Sequence, residues 1–339
     1  MSLTTGLPIE RLEEAYGLGQ WREIEPLPLG KSQHWRFEAV PGRFVLRRSY
    51  RAKTTAGIRF EHELVAHLRA GGFPGPLYVP TLAAEPCLEA DDRLWRVAEF
   101  VPGRAARIAD VADSRVFGAM LARYHLMTDS FRASVPTPAG ELIPEALRSR
   151  LDETVGLARS GLPEDNPVLD GLEATLARAN EVCSRLEVLY PDLCRTVVHA
   201  GCRRGSTIFD ANGHLAVVLD FDSARVEARA LDLAIGVFDF AKLYGEPGSL
   251  GYKVHLDKTV ADAFLDGYRS VTPVGHDEAE AVPLIILAKR LKRALGRYIR
   301  LLSGQEMSPG DRAKIALEEA RVRSLEAGHD LVAGPVAAR

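Results

Sequence analysis

The feature that most constrains this chain is a change of hydrophobic period at Pro102-Gly103. Before that point, apolar residues alternate as they do in strands. The runs "HWRFEAV" and "RFVLRRS", joined by "PGR", have the layout of a β-hairpin, and "RLWRVAEFVPG" adds a further strand. Two helical stretches accompany them. Ile9, Leu12 and Tyr16 recur at helical spacing ahead of Gly17 and Gly19, and "IRFEHELVAHL" (58–68) has helical period and stops at Gly71-Gly72. Beyond residue 103 the pattern turns mainly helical. Phe117, Leu121 and Tyr124 share one face of "RVFGAMLARYHLMT", the stretch 129–144 reads as loop, and helical segments fill 145–190 with a break at "SGLPEDNP". One interruption follows: the short strands "TVVHA", "STIFD" and "LAVVLDF", with a turn at Asn212-Gly213. The remainder, including Leu231–Leu243 and Val282–Leu302, reads as helix. The expectation is an α+β chain, with a small β-rich lobe over 1–103 and a larger mainly helical lobe over 104–339, the latter carrying a polar hairpin at 197–223.

Composition narrows the function classes. Of 339 residues, 46% are hydrophobic and 26% charged, enough to build a sizeable core. A net charge of −3 gives no reason to invoke nucleic acid or an anionic membrane as partner. Cys87, Cys183, Cys194 and Cys202 show no C-x-x-C spacing, so neither a zinc site nor a disulfide framework is indicated. The first residues lack the basic start and apolar run of a signal peptide, and the apolar run at Ala281–Ala288 is too short to span a bilayer. A cytoplasmic location is the expectation.

The hairpin carries the chemistry. Asp220 closes the apolar run "LAVVL", where a rigid element can present a carboxylate, and Asp222 would share its face if the strand continued. Two acids in a turn are ordinarily just solvated, but "HAGCRRGSTIF", "LDFD" and "DLA" together resemble, at matching spacing, the catalytic and metal segments of the aminoglycoside phosphotransferase and choline kinase family. The likeness runs over roughly residues 25 to 302. "PLGKSQHWRFE" is similar to the family's nucleotide loop, which implies Gly30 and Ser32 as nucleotide contacts, with Gln33 in place of an asparagine. "FVLRR" resembles the strand with the phosphate-binding cation, implying Arg47, and "FEHEL" the helix whose acid pairs with it, implying Glu61 over Glu63. "VAEFVPG" resembles the adenine hinge, implying Glu99 and Val101. "LARYHLM" and "FLDGYR" match recurring stretches of the helical lobe. "GKS" at Gly30–Ser32 is not a P-loop, because Glu25 stands where such a loop needs glycine. The resemblance implies the two-lobed protein-kinase-like fold, with ATP and Mg2+ in the cleft and a small-molecule hydroxyl as phosphate acceptor. It further implies Asp220 as the main metal ligand and His199 and Asp232 as braces of the catalytic loop.

The catalytic loop departs from the family pattern at four positions. Gly201 stands at the catalytic aspartate and Ser206 at the metal-binding asparagine; Ala200 replaces a usual glycine and Arg203 a second histidine. Glycine cannot orient a hydroxyl or take its proton, an assistance worth about 10²–10⁴-fold in rate. The nucleotide-binding half therefore reads as kept and the transfer step as slow or lost. Alternatives are a pseudokinase that regulates or scaffolds a protein partner, and an active kinase with a different base, for which Asp222 and Cys202 are the nearby candidates. On the acceptor side, "KRLKRALGRYIR" holds six basic residues and no acid. On a helix Lys289, Arg290, Lys292, Arg293, Arg297 and Arg300 fall within about a half-circle, with Leu291, Leu295, Tyr298 and Leu302 opposite. A solvated face over a buried stripe is the plain reading. Were it to line the site, it would suit an anionic acceptor and repel a polycation.

Overall fold

The structure, a computed structural model, describes residues 7–27, 32–138, 140–160, 171–244, 254–305 and 308–327. The break expected at "SGLPEDNP" falls largely outside these residues, as does Gly30. The chain forms two compact units: one of residues 1–105, 126–138 and 205–224, the other of 106–125, 139–204 and 225–339.

In the first unit, α1 (Ile9–Tyr16) precedes β1 (Arg22–Leu27), β2 (Gln33–Ala39) and β3 (Gly42–Arg48). Then come α2 (Thr55–Ala70), β4 (Tyr78–Val79), β5 (Leu88–Ala90) and β6 (Arg93–Glu99). The strands build an antiparallel sheet in the order β1-β2-β3-β6-β4, with β5 on β6. Alternation decides its faces. Trp35 and Phe37, Phe44 and Leu46, and Trp95 and Val97 all bury on one side against Leu12, Tyr16 and Trp21. Residues one position out of phase must take the other side, which is where Arg47 and Arg96 lie, directly paired across β3 and β6. The helix α2 starts at Thr54, whose hydroxyl accepts the Gly57 N–H at 3.1 Å. The β1 strand had no clear signal in the sequence.

The second unit supplies β7 (Arg195–Val198), and the chain then returns to the first for β8 (Thr207–Phe209) and β9 (Leu215–Val218). The hairpin β8–β9 turns at Gly213, with φ of 82°, and is clamped by Asp210, which accepts the N–H groups of Asn212 and His214. It is tied to the first unit by the Val218 N–H to the Pro74 carbonyl and by paired bonds between Phe209 and Arg104. The strand does not continue through Asp222. It ends at Val218, Asp220 takes a left-handed φ of 68°, and Phe221–Ser223 form a single tight turn. The two aspartates therefore do not share a strand face.

The rest of the second unit is mainly helical: α3 (Val111–Thr128, its last turn in the first unit), α4 (Ile143–Arg159), α5 (Leu172–Leu189), α6 (Ala230–Ala241), α7 (Lys258–Arg269), α8 (His276–Leu302) and α9 (Pro309–Ala327). The expectation of an unbroken helical remainder is corrected by β10 (Arg225–Ala228), antiparallel to β7, and by the pair β11 (Lys242–Tyr244) and β12 (Val254–Leu256). Helices α4, α5, α6 and α9 pack on α8, which buries Leu291, Leu295 and Tyr298 as its amphipathic pattern requires. Helices α3 and α7 touch backbone to backbone. A Cβ on Gly118 would lie 2.0 Å from the Phe264 carbonyl oxygen, and one on Gly267 would lie 2.1 Å from that of Arg115, which explains the glycine of "FLDGYR". Among the described residues no helix is long and apolar enough to cross a membrane.

Candidate active site

The first unit assembles a dense charge cluster. Arg47 and Arg96 oppose each other on β3 and β6, an arrangement that like charges alone would destabilise. Carboxylates from two other elements offset the repulsion. Asp222 is bonded to Arg47, accepts a hydrogen bond from Arg96 at 2.7 Å, and lies 3.5 Å from the Lys53 ammonium. Glu61 of α2 pairs with Arg96 at 2.7 Å and Lys53 at 3.5 Å, and accepts the Tyr78 hydroxyl at 2.6 Å. Burial alone would push the Glu61 carboxyl up, yet Arg96, Lys53 and Arg47 bring it down to about 2. Burial and the neighbouring Arg96 lower the Arg47 guanidinium, and the same two causes lower the His62 imidazole to about 4.

The expected pairing of Glu61 with Arg47 is thus corrected: the bound partners of Glu61 are Arg96 and Lys53. Arg47 instead bonds Asp222, donates to the Ser32 hydroxyl at 3.1 Å, and stands 3.8 Å from Asp220. Asp220 differs from Asp222 in exposure and in partners. Its side chain is 57% exposed and its one ion pair among the described residues is the distant one to Arg47, whereas Asp222 is 12% exposed and held by three cations. Ser206 is buried, and its carbonyl accepts the Leu219 N–H at 2.8 Å, which sets it beside the end of β9. Glu99, exposed, and Val101, half-buried, lie at and just past the end of β6. Among the described residues no three His, Cys, Asp or Glu side chains are grouped to hold a metal ion.

The second unit holds the loop 199–204, and α6 holds that loop. Asp232, fully buried in the first turn of α6, accepts the backbone N–H groups of His199 and Ala200, both at 2.7 Å. It also contacts His125 Nε2 at 3.2 Å, while His125 Nδ1 meets the Tyr268 hydroxyl at 2.7 Å. Burial raises the Asp232 carboxyl, but the hydrogen bond and charge of His125 bring it below its usual range. Asp239 lies two helical turns on, hence on the same face of α6, and accepts the Arg204 N–H at 2.8 Å. Two aspartates of one helix therefore fix both ends of the loop. Within it the Gly201 N–H donates to His199 Nδ1 at 3.1 Å, and Ala200 holds a left-handed φ of 55°. Gly201 is buried and is not among the residues with positive φ. Arg203 is exposed. Cys202 is buried; burial, and then Asp232, push its thiol well above its ordinary range.

Lys53, Arg96 and Asp239 were not picked out in the sequence. Arg96 had a usable signal, since it is the one charged residue in the apolar run from Leu94 to Ala98, but the register that sets it against Arg47 has no local signature. Lys53 lies in a turn and offers no pattern at all.

The family model described as the phosphotransferase enzyme family matches residues 23–281. A homoserine kinase of Caulobacter vibrioides (strain NA1000 / CB15N) is 24% identical over 302 residues, covering 88% of this chain and 89% of the relative. Among solved structures, an amicoumacin kinase in complex with AMP-PNP and Ca2+ superposes with a TM-score of 0.68 at 16% identity, covering 92% of this chain and 91% of the other. An aminoglycoside phosphotransferase from Alicyclobacillus acidocaldarius gives a TM-score of 0.68 at 19% identity and 95% coverage of both chains. These likenesses show the fold: the α+β protein-kinase-like fold, with an N-terminal antiparallel sheet and a larger helical part.

Proposed function

The chain belongs to the phosphotransferase enzyme family, and on that premise we propose that it binds ATP with a divalent cation and transfers phosphate to a small-molecule hydroxyl only slowly. The observation that carries this reading is the contrast inside the loop 199–204. Its frame is fully made, with Asp232 and Asp239 accepting three backbone N–H groups, while position 201 offers no side chain to the acceptor hydroxyl. A degenerate loop has no need of two buried aspartates to hold it.

The residues of this chain divide the work. Arg47 and the Ser32 hydroxyl are the groups for phosphate oxygens, and Asp220, with its exposed carboxylate, is the ligand for the cation. A divalent cation bound there would offset the charge of the phosphates it bridges. Asp222 holds Arg47, Lys53 and Arg96 in place and so is not available as a base. Cys202 is equally unsuited, because its buried thiol resists deprotonation. With both substitute bases engaged elsewhere, an acceptor hydroxyl must lose its proton unassisted, which accounts for slow transfer. Homoserine, the substrate named for the curated relatives, is the first acceptor to try.

Phosphate transfer by wild type, Gly201→Asp and Gly201→Asp/Ser206→Asn, with unfolding midpoints alongside, tests the reading. The single variant should gain about 10²-fold or more in rate, because a carboxylate returns to a position whose φ is not in the left-handed region. Adding the asparagine should increase it further and non-additively, since base and metal ligand act on one transition state. Wild-type turnover at ordinary kinase rates, or a folded double variant with no gain, overturns it. Nucleotide binding with no transfer by any variant would favour a pseudokinase, the second reading that Gly201 and Ser206 support.

A further inference from the structure

The six basic residues of α8 separate into two groups once their partners are identified. Arg290 stacks over the Phe238 ring at 4.2 Å and lies 3.8 Å from Glu318, Lys292 pairs with Glu141 at 3.5 Å, and Arg297 pairs with Glu318 at 3.2 Å. Arg300 donates to the Gln305 side chain at 3.3 Å. Lys289 and Arg293 make no ion pair or hydrogen bond among the described residues. They stand one helical turn apart, on the same face of α8.

The surroundings of that face are cationic as well. Arg203 extends from the loop that Asp232 and Asp239 of α6 hold, and α6 packs on α8. Arg225 of β10 lies across from Val198, the residue before the loop, but is paired with Glu227 at 3.6 Å and is not part of the uncompensated set. Arg203, like Lys289 and Arg293, has no acidic partner among the described residues. Asp232 acts on Lys289 as a counter-charge, but its oxygens already accept the His199 and Ala200 N–H groups. Burial, and then Arg203, Arg293 and Arg225, lower the half-buried Lys289 ammonium to about 8. Arg203, Lys289 and Arg293, three cations without an ion pair among the described residues and near the loop that would meet the acceptor, define a place for an anion.

We propose that Arg203, Lys289 and Arg293 form an anion-binding subsite, so that the acceptor is a small hydroxyl compound carrying a carboxylate or a phosphate. The word acceptor rests on the phosphotransfer reading above; the anion site itself does not. A guanidinium of Arg203 or Arg293 can hold such a group through two parallel N–H donors, and Lys289 adds a point charge. The same field would repel a polycationic acceptor.

The experiment compares 4-hydroxybutanoate with butane-1,4-diol, which share a chain and a hydroxyl and differ in charge. Affinities are measured by ligand-observed NMR on the full chain without nucleotide. Wild type should bind the carboxylate about tenfold or more tightly than the diol, the value of one or two charge-assisted hydrogen bonds. Lys289→Met/Arg293→Met should lose most of that preference without a lower unfolding midpoint. If the double variant fails to fold, Lys289→Gln and Arg293→Gln singly give the same comparison. Equal affinities in wild type, or an unchanged preference in the variants, overturn the subsite. Since binding needs no turnover, an anion preference with no phosphate transfer keeps the subsite and counts against the transfer reading. Transfer to the diol without any anion preference does the reverse.

Discussion

In the first unit Arg47, Lys53 and Arg96 meet Glu61, Asp222 and Asp220, and every cation has a carboxylate within 4 Å. In the second, Arg203, Lys289 and Arg293 have no acid of their own among the described residues. The difference separates two uses of positive charge. Where the protein supplies the counter-charge, the cluster is part of the fold, and losing a member leaves a buried ion without compensation. Where it does not, the fold tolerates repulsion that a ligand would relieve.

The largest effect that tests this contrast is at Asp222. Asp222→Ala strips the bound carboxylate from three cations and should destabilise by about 3–5 kcal/mol, the range for breaking a buried pair. Asp220→Ala, at an exposed carboxylate, should leave the urea midpoint near wild type and instead abolish the divalent-cation-dependent part of ATP binding. Equal stability losses from both would erase the distinction between a structural and a ligating aspartate.

A somewhat smaller effect belongs to Glu61. Its carboxyl sits at about 2, below the ordinary value of 4.5, so the stability it confers is complete above pH 4.5 and is lost as pH falls towards 2. Glu61→Gln should be less stable than wild type at pH 7 by about 2–3 kcal/mol, with the gap closing in acid. A gap that stays constant from pH 7 to 3 would mean the carboxylate is not held by its cations.

The smallest effect has the opposite sign and sharpens the other side of the comparison. The Lys289 ammonium lies at about 8 rather than 10.5, so between those values the unfolded chain holds a proton the folded chain has released. Stability contributed by this group therefore rises with pH across that window. Lys289→Met should be neutral or stabilising below pH 8, by on the order of 1 kcal/mol, and should lose that advantage towards pH 10.5. The neighbouring charges that set this window are Arg203, Arg293, Arg225 and Asp232. A variant less stable than wild type at pH 7 would show that Lys289 is already compensated.

Much of the site was legible because its parts are local. The hairpin at 207–218 follows from two short apolar runs and Asn212-Gly213, and Asp220 follows from its place after β9. Arg47 was nameable from the strand "FVLRR". Its partners were not, because they come from residue 222, from the turn holding Lys53, and from a strand register that pairs residues 47 and 96. Asp220 and Asp222 would have shared a face had the strand continued, but the left-handed conformation at Asp220 ends the alternation.

By itself the sequence determined the main periodicities, and with them the β2–β3 and β8–β9 hairpins, the long helices and their buried faces. It also fixed that α8 has a basic face. Only the tertiary structure decided which of those cations are neutralised, since pairing depends on distance between elements remote in the chain. Coulomb interaction falls with separation and strengthens with burial, and a linear sequence records neither quantity.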